Sequence, residues 1–431
     1  MEETMKKALA FLFVCLALTG MAFANGADEK GDSERITLNV MGYGDNSNQE
    51  GISWRRMVTT FQEENPNITI VDELLYDQAY HQKVTARLAA GDAPHLAYMG
   101  ADARWGAPWK EAGMQIDNRP YIDTNLFDMN LIPEMGPNGE RYYLPIGTSN
   151  ITTVLFMNEP LVQSLGFAAP ETYADLVAMV PAAKAAGLQV VSIDGADGWA
   201  WGSCLLSALI ARTSGDTQWV SKAVAGENAF DDEAMVKALG LIETMVADGV
   251  IDSKNVLVDY GSNISAFSNE QALFFVQGQW AAGGVENTDV RNSMKLMAWP
   301  TLPGQKSGME GSVAAAWSVG YGLTKRAEDD GVQEAAAKFL AYVNRVEEST
   351  QRLRDGAIVA PVNKGYVVPD DLPVEVAQKV ALAQSSLNTE VIDAFLTGPP
   401  NDALNAGMQK IAAGEATAAE VAAEVEALAR Q

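Results

Sequence analysis

Between residues 36 and 99 the hydrophobic pattern changes period four times, and this alternation restricts the fold more than any other feature of the chain. Ile36-Thr37-Leu38-Asn39-Val40 alternates apolar and polar residues, as a half-buried strand does. After the turn-rich residues 42–48, Trp54, Met57, Val58 and Phe61 fall at the spacing of an amphipathic helix, which Asn65-Pro66-Asn67 stops. Residues 68–71 predict a second strand, residues 80–90 a second helix closed by Gly91, and residues 96–99 a third strand. Strands separated by helices pair in parallel through crossovers, so the chain begins as an α/β sheet.

The rest of the chain continues in kind. Residues 142–145 and 152–157 are strand-like on either side of residues 147–150, which read as a short crossing between lobes. Helices are predicted over 172–186, capped by Thr172 and ended by Gly187, and over 203–212, 232–247, 334–343, 374–383 and 417–430. Further strands are expected at 190–193, 274–276 and 318–323. A length of 431 residues suits two or three domains at about 150 residues each, and 48% hydrophobic residues supply their cores.

Charge removes several classes of function. With 30 Lys+Arg against 56 Asp+Glu the net charge is −26, which argues against nucleic acid and against docking on anionic lipid. Two histidines leave little scope for a His-rich metal site, and HExxH, GxxxxGK[ST] and GxSxG motifs are all missing. At the N-terminus, Lys6-Lys7, an apolar run over 8–18 and a small-residue site ending at Ala24 form an export signal, too short to span a bilayer. Cleavage near Ala24 is expected, followed by a polar tether over 25–34 and a soluble periplasmic protein. Val14 before Cys15 is wrong for lipid attachment, so none is expected there. Cys204 is then the only cysteine of the mature chain and reads as a buried thiol.

Candidate chemistry concentrates in loops at strand ends. Trp199, Trp201, Trp280 and Trp317 sit in or beside Gly- and Ala-rich turns, where indole faces suit the C–H faces of a sugar and the N–H reaches a hydroxyl. Trp54, Trp105 and Trp219 follow helical patterns and are assigned to packing. Asp45, Asn46 and Gln49 follow the first strand and Asp102 the third, where ligands of parallel sheets bind. The calcium-like Asp194-Gly195-Ala196-Asp197-Gly198 lacks the acidic partner such a loop needs and reads as a turn. His81 and His95 have no ligand-spaced partners, so neither metal nor cofactor is expected.

Several blocks, taken in order, resemble a known family. Phe61-Gln-Glu-Glu-Asn-Pro-Asn-Ile68, Lys83-Val-Thr-Ala-Arg-Leu-Ala-Ala-Gly-Asp-Ala-Pro94, Tyr142-Tyr-Leu-Pro145, Met157-Asn158, Gly166 with Pro170-Glu-Thr-Tyr173, and Gly278-Gln-Trp280 are similar to segments of extracellular (family 1) solute-binding proteins of carbohydrate ABC importers. The helix ending in Lys-Phe-Leu-Ala-Tyr342, Gly356 with Pro361, and residues 414–423 extend the likeness. The resemblance, of maltose-binding-protein type, implies a periplasmic-binding-protein type II-like fold: two discontinuous α/β lobes, a hinge and an interlobe ligand cleft. The expected division is 35–147 with 295–345 for the first lobe and 150–290 with 350–431 for the second. It also implies a sugar-contacting role for Asp102, a stacking role for Trp280, and ligand-facing positions for loop 42–50 (with Asp45 and Asn46) and Trp317. The implied function is binding without chemistry: a monomer that captures a small carbohydrate and delivers it to membrane permease subunits. One departure is His95, where the family usually carries Asp. A secreted glycoside-active enzyme, and a non-sugar ligand such as a polyol phosphate or an oligopeptide, are the rival readings; a phosphate would draw on Arg104, Arg212 or Arg352.

Overall fold

The computed structural model describes residues 35–46 and 49–431. The expected leader and tether therefore lie outside the described residues. Twelve strands occur among those described: Ile36–Tyr43 (β1), Ile68–Leu75 (β2), Leu96–Met99 (β3), Leu144–Pro145 (β4), Asn150–Ile151 (β5), Val154–Met157 (β6), Gln189–Ser192 (β7), Ala272–Gln277 (β8), Lys295–Met297 (β9), Val313–Ala316 (β10), Gly320–Leu323 (β11) and Asn388–Thr389 (β12).

The first lobe is built on a five-stranded sheet in the order β2-β1-β3-β11-β4. β1 pairs parallel to β2 with Ile36 opposite Ile68, and parallel to β3 with Val40 opposite Leu96. The helices Gln49–Glu64 and Asp77–Ala89 make the two crossovers, as the alternating sequence pattern requires. The stripe Trp54, Met57, Val58 and Phe61 is buried in the core of this lobe, and the Asn65 side chain donates to Phe61 O at 2.8 Å to finish that helix. His95 is buried where the resemblance leads one to expect Asp. Its Nδ1 accepts from the Asn39 amide at 3.0 Å and its Nε2 faces Asp330 at 3.1 Å. The imidazole thus supplies the acceptor that a carboxylate would.

The second lobe is built on a four-stranded sheet in the order β7-β8-β6-β9, with separate apolar clusters on its two faces. Its helix Tyr173–Ala185 opens with the Thr172–Asp175 capping box, and Gly187 follows at φ 72°. Between the lobes, β10 pairs with β5 on one side and β12 on the other, forming a small three-stranded sheet.

The pairing moves the expected lobe boundaries. Lys295–Met297 had been assigned to the first lobe, yet β9 pairs with β6 and extends the second sheet. Conversely, Leu353, Ile358, Val362 and Val376 had been assigned to the second lobe and join the core of the first. Short strands such as β9 carry too little pattern to reveal which sheet they join. Among the described residues, no helix is long and apolar enough to cross a membrane.

Candidate functional site

The carboxyl ends of β1, β2 and β3 point into the space between the lobes, and their tips carry aromatic side chains. Tyr43 ends β1, Tyr76 follows β2, and Tyr98 lies in β3. Tyr43 stacks on Tyr98 at 4.8 Å between ring centroids, meets Trp105 edge-on at 5.3 Å and lies tilted against Tyr76 at 4.9 Å. The second lobe opposes them with Trp199, Tyr260 and Trp280; Trp199 lies 6.2 Å from Tyr260 and 6.0 Å from Trp280, tilted in both cases. These rings, with Trp317, Asn150, Thr152 and Ser203, line an inner compartment of about 170 Å³.

Local chain geometry sets these side chains. Trp201–Leu206 winds as a π-helix directly after Trp199, a distortion often found at functional sites. The Thr152 hydroxyl donates to Ser203 O at 2.9 Å and ties this turn to the interlobe strands. The Trp280 ring folds back over Gly278, where a Cβ would fall 2.1 Å from the indole. Asp77 opens its helix at φ 47°, a left-handed conformation that Asp tolerates better than most residues and that tends to occur at functional sites.

The electrostatics are acidic and strongly desolvated. Glu50, Asp77, Asp102 and Asp393 line the inner compartment together with a single cation, Arg104. Asp102 caps helix Ala103–Glu111 by accepting from the Trp105 amide at 2.8 Å. Burial of its carboxyl group pushes its pKa up to about 7, and the nearby Asp393 adds to the rise. Desolvation likewise raises Glu50, Asp77 and Asp393. Arg104 stands 3.6 Å from Asp77 and, across the cleft, 3.9 Å from Asp393.

A second, outer compartment of about 670 Å³ continues from the first. Arg104, Trp105, Trp199 and Asp393 line both and form the neck between them. Burial, with Arg104 close by, pulls the His81 imidazole at its wall down to about 3, so that it is uncharged at neutral pH.

Of the residues expected from sequence, the structure brings together Asp102, Trp199, Trp280 and Trp317, which all line the inner compartment, Trp317 with 45% of its surface exposed. It does not bring Trp201 there. That side chain is 1% exposed in the core of the second lobe, because the π-helix turns it inward while Trp199 faces the cleft. Asp45 and Asn46 lie outside the lining of both compartments, and Asn46 is exposed and accepts from Arg55 at 3.4 Å. Trp54 and Trp219 are packed as expected, but Trp105, also expected only to pack, lines both compartments. Sequence reasoning missed Tyr43, Tyr76, Tyr98 and Tyr260. The strand-end rule that selected Asp102 selects the first three equally well when applied to tyrosines.

Cys204 is buried with its Sγ 3.2 Å from Gln277 Oε1, and desolvation raises its thiol. Arg212 is buried against the Pro300 and Ser312 carbonyls, far from the role of an anion ligand. Arg352 is buried beside a small side cavity of about 30 Å³.

A two-lobed α/β fold with a polar, aromatic-walled cleft is the architecture of a solute receptor. Residues 45–348 match the sequence model of the bacterial extracellular solute-binding proteins, and the chain belongs to that family. It is 21% identical over 370 residues to the multiple sugar-binding protein of Streptococcus mutans, covering 85% of each chain. The same fold occurs in a protein from work on xylan utilization by Caldanaerobius polysaccharolyticus, with TM-score 0.79, 19% identity and coverage of 91% of this chain and 100% of that one. It also occurs in the maltose-bound MalE3 of T. maritima, with TM-score 0.73, 16% identity and coverage of 92% and 99%.

Proposed function

We propose that this receptor captures a carbohydrate between its lobes and hands it to the permease of an ABC importer, without transforming it. The observation that carries the reading is the opposition, across the inner compartment, of aromatic rings from both lobes around the carboxyl groups of Asp102 and Asp393. Ring faces shield the C–H faces of a sugar, and carboxyl groups accept from its hydroxyls. Trp280 would stack on the sugar. Similarity to a sugar-binding protein and to a maltose-bound receptor supports the same ligand class.

The acidic lining speaks against a phosphorylated ligand, because Arg104 is already engaged by Asp77 and Asp393. Only a ligand touching both walls favours the closed arrangement, so occupancy and closure are linked, and the permease reads the closed form. The same reading makes the protein a periplasmic monomer released from its leader near Ala24 and requires no cofactor. Thermal unfolding against a panel of mono- and oligosaccharides tests it, with chromatography of the sugars afterwards. The expected result is a raised midpoint with at least one sugar and every sugar recovered intact. Hydrolysis of any glycoside would overturn the claim of binding without chemistry.

A further inference from the structure

We infer that Asp194 is a positioning residue: through Gln277 it fixes the loop that carries Trp280 against the loop that carries Trp199, and so sets the aromatic wall of the second lobe. The inference rests on the reading above that this wall receives the ligand. It concerns a residue that lines neither compartment, so its effect on binding must pass through others.

Asp194 follows β7 and opens the turn that leads to Trp199. It is 1% exposed. Its Oδ1 accepts from Gln277 Nε2 and from Asn263 Nδ2, each at 2.9 Å. Gln277 is the last residue of β8, and its Oε1 accepts from the Gly278 amide at 2.8 Å. Both ends of the Gln277 amide are thus committed, one to the carboxyl group and the other to the first residue of the Trp280 loop. Burial raises the Asp194 carboxyl to about 6 against the pull of the two amides, so at neutral pH it is mostly ionised and can only accept. An acceptor at this place allows Gln277 one orientation and forbids the flipped one. Gly278 in turn lies directly under the Trp280 indole.

The same turn reaches the third ring of the wall. Asn263 belongs to helix Tyr260–Ser268, and the Ser192 hydroxyl holds its Oδ1 at 2.7 Å. Asp197, three residues after Asp194, accepts from the Tyr260 amide at 2.9 Å. One short turn therefore joins the segments that carry Trp199, Tyr260 and Trp280, which are far apart in the chain. The Trp199 and Trp280 rings meet at 6.0 Å and 45°, so the gap between them follows from the loops beneath. A binding site needs such side chains held to within about 0.5 Å by the hydrogen bonds behind them.

Near-UV circular dichroism of the ligand-free full chain tests this, with the difference between wild type and Trp280→Ala taken as the signal of Trp280 in its place. Asp194→Ala is expected to lose most of that difference. Asp194→Asn, which keeps an acceptor oxygen for both amides, is expected to retain most of it. Gln277→Met breaks the link at its next member, is expected to match Asp194→Ala, and serves where that variant does not fold. Thr417→Ala, which removes the cap of helix Ala418–Ala429 in the same lobe, is expected to lower the unfolding midpoint and leave the signal unchanged. In calorimetry with maltose and with xylobiose, the affinity of Asp194→Ala for any sugar that the wild type binds is expected to fall about tenfold or more, and that of Asp194→Asn by less than about threefold. A wild-type signal in Asp194→Ala and Gln277→Met, or equal losses in Asp194→Ala and Asp194→Asn, would overturn the inference and leave the sugar reading standing. Absence of heat from both sugars with the wild type, beside the expected spectra, bears on the identity of the ligand and leaves the role of Asp194 supported.

Discussion

Asp102 joins two duties that conflict in their ideal protonation state. As an N-cap it accepts from the Trp105 amide, which favours the carboxylate, while its place in the cleft desolvates that charge. The second effect is larger, and its pKa stands near 7 against an ordinary value of 3.8. The sign of the consequence follows from proton linkage: between these values the folded state binds more protons than the unfolded chain, so the contribution of this group to stability falls as pH rises from about 4 to about 7. Asn caps a helix as well as Asp does and carries no charge. Asp102→Asn is therefore expected to raise the ligand-free unfolding midpoint at pH 7 and to change it little at pH 4, as scanning calorimetry at the two pH values would measure. Trp201 and Trp280 make the opposite comparison. Trp201 is core, and Trp201→Ala is expected to destabilise by about 3–5 kcal/mol in denaturant melts. No comparable loss is expected from Trp280→Ala, whose effect belongs to the ligand.

At the scale of elements, the strand–helix alternation of residues 36–99 was legible because each element is long enough to show its period: eight residues in β1, sixteen in its following helix. So was Asp102, through the rule that ligands lie beyond the carboxyl ends of parallel strands. Trp201 was not, because pattern alone cannot reveal a π-turn that sends two tryptophans of one loop to opposite sides. The lobe boundaries were not legible either. β9 has three residues and β12 two, and their sheet membership is decided by partners about 140 and 75 residues away in the chain. The loop Gly278–Trp280 shows how backbone and site are coupled. Gly278 has an ordinary φ of −73°, so its need for glycine comes from the indole lying against it. Gly278→Ala is expected to push the Trp280 ring aside, weakening sugar binding about as much as Trp280→Ala while leaving the unfolding midpoint near that of the wild type. Fluorescence titration beside a thermal melt reads both effects.

At the scale of the whole molecule, the two sheets are tied by the short strands β5, β10 and β12, and the cleft lining draws on both lobes. Few hydrogen bonds hold so small a linking sheet, which suits rigid lobes moving about a narrow waist. Arg104 reaches Asp393 across the cleft, so one ion pair already spans the gap that a ligand would bridge. Small-angle scattering is expected to show a smaller radius of gyration with saturating sugar than without, and an unchanged radius in Trp280→Ala under the same conditions. The chain carries a net charge of −26, and its acidity extends into the cleft, where four carboxyl groups and one cation line the inner compartment. Diffraction from crystals grown with a sugar that raises the unfolding midpoint tests the central claim most directly. The account predicts a sugar ring against Trp280, with a hydroxyl on Asp102 and contacts from both lobes. A sugar held on the outer surface, or by one lobe alone, would contradict it.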